Sequence, residues 1–126
     1  MSQEKPSGKL QLRTIAMPGD TNSNGDIFGG WIMAQMDIAG AILAKEVSQT
    51  RTVTVAVEGM KFLKPVKVGD IVSCYGDVTR KGNTSITIKL EVWIKSVLKN
   101  LTVKVTEATF IYVAIDQDGK KITLKK

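Results

Sequence analysis

From Trp31 to Ala44 the chain reads WIMAQMDIAGAILA, and only Gln35 and Asp37 in it are polar. Apolar residues on every side predict a buried helix rather than a surface one. The pattern places that helix over roughly Gly30–Val47, about 27 Å long at 1.5 Å per residue. Beyond it the period changes to two. Thr52–Met60 sets Val53, Val55 and Val57 on one face of a strand. Ile71–Thr79 is a second run, with Gly76 as a bulge position. Ser85–Lys95 is the cleanest: Ile86, Ile88, Leu90, Val92 and Ile94 share one face, and Thr87, Lys89, Glu91 and Trp93 the other. Leu101–Ile115 is the last long strand. Its apolar phase drifts from Val103 and Val105 to Phe110 and Tyr112, which predicts another bulge. Ahead of the helix, Leu10–Met17 reads as a short strand stopped by the turn Pro18-Gly19-Asp20. Lys81–Thr84 is a hairpin turn, Asp116–Lys120 a closing turn, and residues 1–9 a loose, flexible polar lead-in.

The order is therefore one strand, one helix, four strands. Short connections between strands predict an antiparallel sheet and an α+β class. One flat sheet face cannot cover a helix that is apolar all round. Either the sheet curls around it or a second subunit covers the remainder, and the second solution predicts a dimer.

Composition narrows the chemistry. The 126 residues, 43% hydrophobic, are the size of a single domain with one core, here 1–126. The first residues, MSQEKPSGKLQL, lack the apolar stretch of a signal peptide. No apolar run reaches the roughly 20 residues that span a bilayer, so no membrane insertion is expected. The single cysteine, Cys74, cannot form an internal disulfide and fits a reducing, cytoplasmic setting. No histidine is present, which excludes Ser-His-Asp and Cys-His nucleophiles. With one cysteine and no histidine, no metal site is expected. The net charge of +6 fits either an anionic partner or simply a lysine-rich surface. The lysines are scattered, without the basic stripe of a nucleic-acid module, so no nucleic-acid partner is expected.

Asp37 is the candidate for chemistry. A carboxylate within an apolar helix loses hydration at a cost of several kcal/mol unless it is bonded. It lies about two turns into the helix, too far to cap it. It is then either a working acid or a structural carboxylate bonded to backbone or to a lysine across an interface. The preceding segment, Asn22-Ser-Asn-Gly-Asp-Ile-Phe-Gly-Gly, brings a glycine pair, Gly29-Gly30, to the helix start. There a ligand can approach N–H groups that have no partner in the helix and carry the positive end of its dipole. Those groups suit a polarised carbonyl oxygen, although the same glycines also permit a tight turn.

These residues resemble a known family. MPGDTNSNGDIFGGWIMAQMDIAGA, from Met17 on, resembles the signature of the hotdog-fold acyl-CoA thioesterases, in particular the bacterial YciA-like group. Thr54–Asp70 (TVAVEGMKFLKPVKVGD) and Gly82–Trp93 (GNTSITIKLEVW) are similar to it as well. A lone FGG would carry little; three blocks in order, spanning most of Leu10–Ile115, carry the resemblance.

The resemblance implies a long helix wrapped by a curved antiparallel sheet. Subunits would pair into a continuous sheet with the active site at the dimer interface, commonly as a trimer of dimers. The implied reaction is hydrolysis of acyl-CoA to free CoA and a carboxylic acid, with CoA as part of the substrate and no cofactor. The family's catalytic aspartate falls on Asp37, as general base or nucleophile. Its motif asparagine falls on Asn22, with Asn24 the alternative. The carbonyl-binding N–H groups fall on Gly29, Gly30 and Trp31, and the CoA-binding turn on Gly82, Thr84 and Ser85. Lys64, Arg80 and Lys81 are placed to meet CoA phosphates, and Phe62 and Met33 to border the acyl pocket, although Phe62 also reads as plain core. A hotdog dehydratase would need the histidine that this chain lacks. A non-catalytic acyl-CoA-sensing module is the competing reading.

Overall fold

The computed structural model describes residues 5–96 and 98–124. It contains β1 (Lys9–Ile15), α1 (Gly29–Ser48), β2 (Arg51–Phe62), β3 (Ile71–Lys81), β4 (Ser85–Ser96) and β5 (Leu101–Ile115), with a 3₁₀ turn at Pro18–Asp20. The strands form one antiparallel sheet in the order β1-β3-β4-β5-β2. The helix lies against one face of it and touches all five strands. This is the hotdog arrangement that the resemblance implies. The expected elements are all present, with ends displaced by a residue or two.

The inner face of β4 is the floor of the core: Ile86, Ile88, Leu90 and Val92 are fully buried, as their alternation requires. The helix contributes Ile32, Met36, Ala39, Gly40, Ala44 and Ser48, which recur at helical spacing along one face. Its opposite face is uncovered, and there the expectation of an all-round buried helix does not hold within one chain. Met33 and Ile42 are exposed, and Ile38 keeps 49% of its surface. The sheet is too narrow to close around the helix.

Strand β2 repeats this on the sheet edge. Val53, Val55 and Val57 are exposed, Val55 at 53%. Among the described residues no further strand lies beyond β2, so one edge of the sheet presents backbone without a strand partner beside apolar side chains. Two register shifts, between Thr54 and Ala56 and between Glu58 and Lys61, also break the strict alternation of this strand.

The expected bulge in β5 is present. Val92 pairs with Thr106 but Trp93 with Lys104, so Val105 is the extra residue. The bulge expected at Gly76 is not. Gly76 is paired on both sides, with Lys9 and Leu90, and β3 bulges at Thr79 instead. The glycine has a packing reason: a β-carbon there would stand 3.1 Å from Leu43 and 3.2 Å from Leu90.

Part of the polar lead-in lies against the sheet. The Ser7 N–H and the Trp93 indole N–H both donate to Glu91 Oε1 at 3.0 Å, and Glu91 is buried on the outer sheet face. Residues 1–4 of that lead-in lie outside the described residues. At the other end, Asp116 accepts from the N–H groups of Asp118 and Lys120 and closes the expected turn. The following segment returns to the β3–β4 hairpin, where Leu124 N–H donates to Asn83 O at 2.7 Å.

Candidate active site

The loop before the helix is built from the backbone outward. Asn22 Oδ1 accepts from the N–H groups of Asn24 at 2.9 Å and Asp26 at 3.1 Å. Its carbonyl end is thereby spent on the turn, and among the described residues its two amide protons have no hydrogen-bond partner. Ile27 N–H donates to Val66 O, and Lys67 pairs with Asp26, so the loop is tied to the segment after β2. Phe28 precedes the helix without a side-chain cap bond. The Trp31 and Ile32 N–H groups both point to Phe28 O, at 3.1 and 3.3 Å. Those of Gly29 and Gly30 lie before the helical ladder begins. Space around Gly30 is open, whereas a β-carbon on Gly29 would meet the Phe62 ring at 3.3 Å.

A cleft of about 300 Å³ is lined by Asn22, Gly29, Phe62 and Lys64 among others; Gly30 and Trp31 are not part of its lining. Asn24 is exposed on the loop and is not part of that lining. A larger hollow of about 950 Å³ lies elsewhere, against Trp93 and Thr102, and shares with the expected site only Lys64.

Asp37 is half-buried, at the margin of the uncovered helix face, and two hydroxyls converge on it. Thr54 Oγ1 donates to Asp37 Oδ1 at 2.6 Å. The Tyr112 hydroxyl lies 3.0 Å from the same oxygen and 2.9 Å from the Asp37 backbone carbonyl. Thr54 and Tyr112 are direct neighbours across β2 and β5, so the sheet delivers both donors together. Burial first, and then the adjacent Asp37 carboxylate, push the Tyr112 phenol well above its usual range. It stays protonated and acts as a donor. Sequence reading passed over both residues. Thr54 opens one of the family-like blocks, and Tyr112 is a hydroxyl in an otherwise apolar stretch. Neither could be joined to Asp37 before the strand pairing was known.

The remaining expected residues form a separate group. Gly82, Thr84 and Ser85 shape the β3–β4 hairpin, where Gly82 N–H donates to Ser85 O at 2.8 Å. Arg80 and Lys81 beside it are exposed. Ser85 lies in one row with Val113 and Val53 across the sheet. Phe62 pairs with Thr106, nine residues further along β2, roughly 30 Å away at strand rise. Within one chain, hairpin and cleft therefore stand at opposite ends of β2. Asp37 and Gly29 are also apart, about 12 Å along one helix at 1.5 Å per residue.

Residues 24–99 match the thioesterase superfamily. The chain belongs to that superfamily, in its YciA-like acyl-CoA thioester hydrolase group. It is 62% identical to the acyl-CoA thioester hydrolase YciA of Salmonella typhimurium, over 91% of this chain and 89% of that protein. The structure of a hexameric thioesterase from Yersinia pestis superposes with a TM-score of 0.93 at 57% identity, covering 97% of this chain and 99% of that one. A hexameric broad-specificity acyl-coenzyme A thioesterase, solved as an aspartate-to-alanine variant, gives 0.93 at 54% identity, over 95% of this chain and 88% of that one. Among the described residues, no helix is long and apolar enough to cross a membrane.

Proposed function

We propose that this protein hydrolyses acyl-CoA thioesters in the cytoplasm at a site shared between two chains. The observation that carries the reading is the Asp37 carboxylate, held by Thr54 and Tyr112 on a helix that opens with two glycines. The thioester carbonyl oxygen docks on the N–H groups of Gly29 and Gly30, at the positive end of the helix dipole. Asp37, ionised, takes a proton from water as the water adds to the carbonyl carbon, or adds to that carbon itself. The C–S bond breaks and the CoA thiolate leaves; on the base route it receives the proton that Asp37 took from water. On the nucleophile route, water then cleaves the acyl-aspartate, and the proton that this water releases goes to the thiolate. The amide protons of Asn22 orient the carbonyl or the water.

Distance argues for two chains. Reacting atoms must approach to roughly 3–3.5 Å, and Gly29 and Asp37 of one helix are about 12 Å apart. A two-fold axis beside β2 removes the difficulty. Antiparallel pairing of two β2 edges continues the sheet and covers Val53, Val55 and Val57. It also sets the hairpin end of one chain beside the Phe62 end of its partner. Asp37 of one helix then meets the glycines of the other, and Arg80, Lys81 and the Gly82–Ser85 turn reach the CoA phosphates from a second chain. Phe62, Met33 and Lys64 border the channel. The hexameric relatives support a trimer of such dimers.

The test is thiol release from acyl-CoAs of short to long chain by the wild type and Asp37→Ala. Rapid release by the wild type alone is expected. Binding of CoA without release by either protein would favour an acyl-CoA-sensing module instead.

A further inference from the structure

Asp37 is fixed more tightly than a salvaged buried carboxylate requires. One hydrogen bond would satisfy the Tyr112 hydroxyl, and the Asp37 backbone carbonyl at 2.9 Å supplies it. Yet the same hydroxyl also lies 3.0 Å from Oδ1, the oxygen that receives Thr54 at 2.6 Å. Among the described residues, both side-chain donors go to Oδ1. Oδ1 is thereby held by two donors, and Oδ2 has no side-chain donor among the described residues. The helix carries a matching feature. Gly40 lies against the Tyr112 ring, where a β-carbon would stand 2.8 Å from the ring carbons. Any larger residue there would push the phenol off Asp37. The ring itself is held beneath, stacked on Phe110 with centroids 6.3 Å apart.

We propose that Tyr112 is the positioning residue of this reaction: its hydroxyl locks the backbone and side chain of Asp37 together and makes Oδ2 the oxygen presented to water or thioester. This rests on Asp37 being the reacting group. Tyr112 does not itself exchange a proton with substrate. Burial and the neighbouring carboxylate keep it protonated. Its contribution is orientation of the carboxylate. Thr54, the other bonded partner, does not titrate, so Tyr112 is the titratable group in direct contact with Asp37 among the described residues.

The experiment compares wild type, Tyr112→Phe and Asp37→Asn as full chains, following loss of thioester absorbance. In Tyr112→Phe kcat should fall by about tenfold or more while KM stays within about twofold. A Tyr112→Phe protein that melts lower but keeps the wild-type kcat would overturn the proposal and leave Tyr112 a packing residue. Wild-type turnover by Asp37→Asn would instead remove the reading of Asp37 itself. If Tyr112→Phe does not fold, fluorotyrosine in a Tyr75→Phe background labels Tyr112 alone, because the chain has two tyrosines. The more acidic phenol is a stronger donor and should change kcat while KM stays within about twofold; an unchanged kcat overturns the proposal.

Discussion

Gly40 and Tyr112 are packed so closely that no β-carbon fits between them: one built on Gly40 would stand 2.8 Å from the phenol ring. The contact is between a rigid helix backbone and a fully buried ring, so neither side can yield cheaply. Gly40→Ala should destabilise the fold by about 1–3 kcal/mol despite its better helix propensity. Thermal unfolding checks this. A melting temperature equal to or above the wild type would show that the ring moves freely.

Asp37→Ala should lower turnover by about a hundredfold or more with the oligomer intact. Asn22→Ala should cost less, about tenfold, because only orientation is lost. Steady-state kinetics with size-exclusion chromatography reads both, and residual Asp37→Ala activity within a few-fold of wild type would sink the assignment.

The proposed sharing of the site between two chains predicts complementation. Gly30→Pro removes one N–H at the first helical turn, where proline is tolerated, and should be inactive. Co-expressed with Asp37→Ala, half of randomly assorted dimers are hybrids with one intact site of two. About a quarter of wild-type activity should return. Sites confined to single chains would give no recovery.

Val55→Lys places a charge on the exposed β2 edge. If two β2 strands pair, the charge should split the assembly and abolish activity together. Light scattering gives the particle mass; an unchanged mass would move the interface elsewhere.

Burial pushes the Cys74 thiol from its ordinary value up to about 12. The raised pKa keeps it protonated through neutral and mildly alkaline pH, and the thiolate is the reactive form. Iodoacetamide at mildly alkaline pH should leave the folded protein unmodified and label it once denatured. Mass spectrometry reads the adduct, and rapid labelling of the native protein would show that β3 opens.

Periodicity determined a good deal. The run from Trp31 to Ala44 located α1, and the alternation of Ile86 to Ile94 located β4 with its buried face, because helix and strand geometry impose their own repeats locally. The phase drift in β5 revealed the bulge at Val105 for the same reason. Asp37 stood out as a carboxylate with no local explanation, and Gly29-Gly30 as a helix start without side chains. Only the tertiary structure decided the strand order β1-β3-β4-β5-β2, which leaves β2 an edge and its valines uncovered. It moved the expected bulge from Gly76 to Thr79, since register depends on partners. It also joined Asp37 to Thr54 and Tyr112, 17 and 75 residues away along the chain. Nothing in a local repeat encodes such meetings. They follow from hydrogen-bond pairing between strands distant in sequence, and that pairing exists only once the sheet is assembled around the helix.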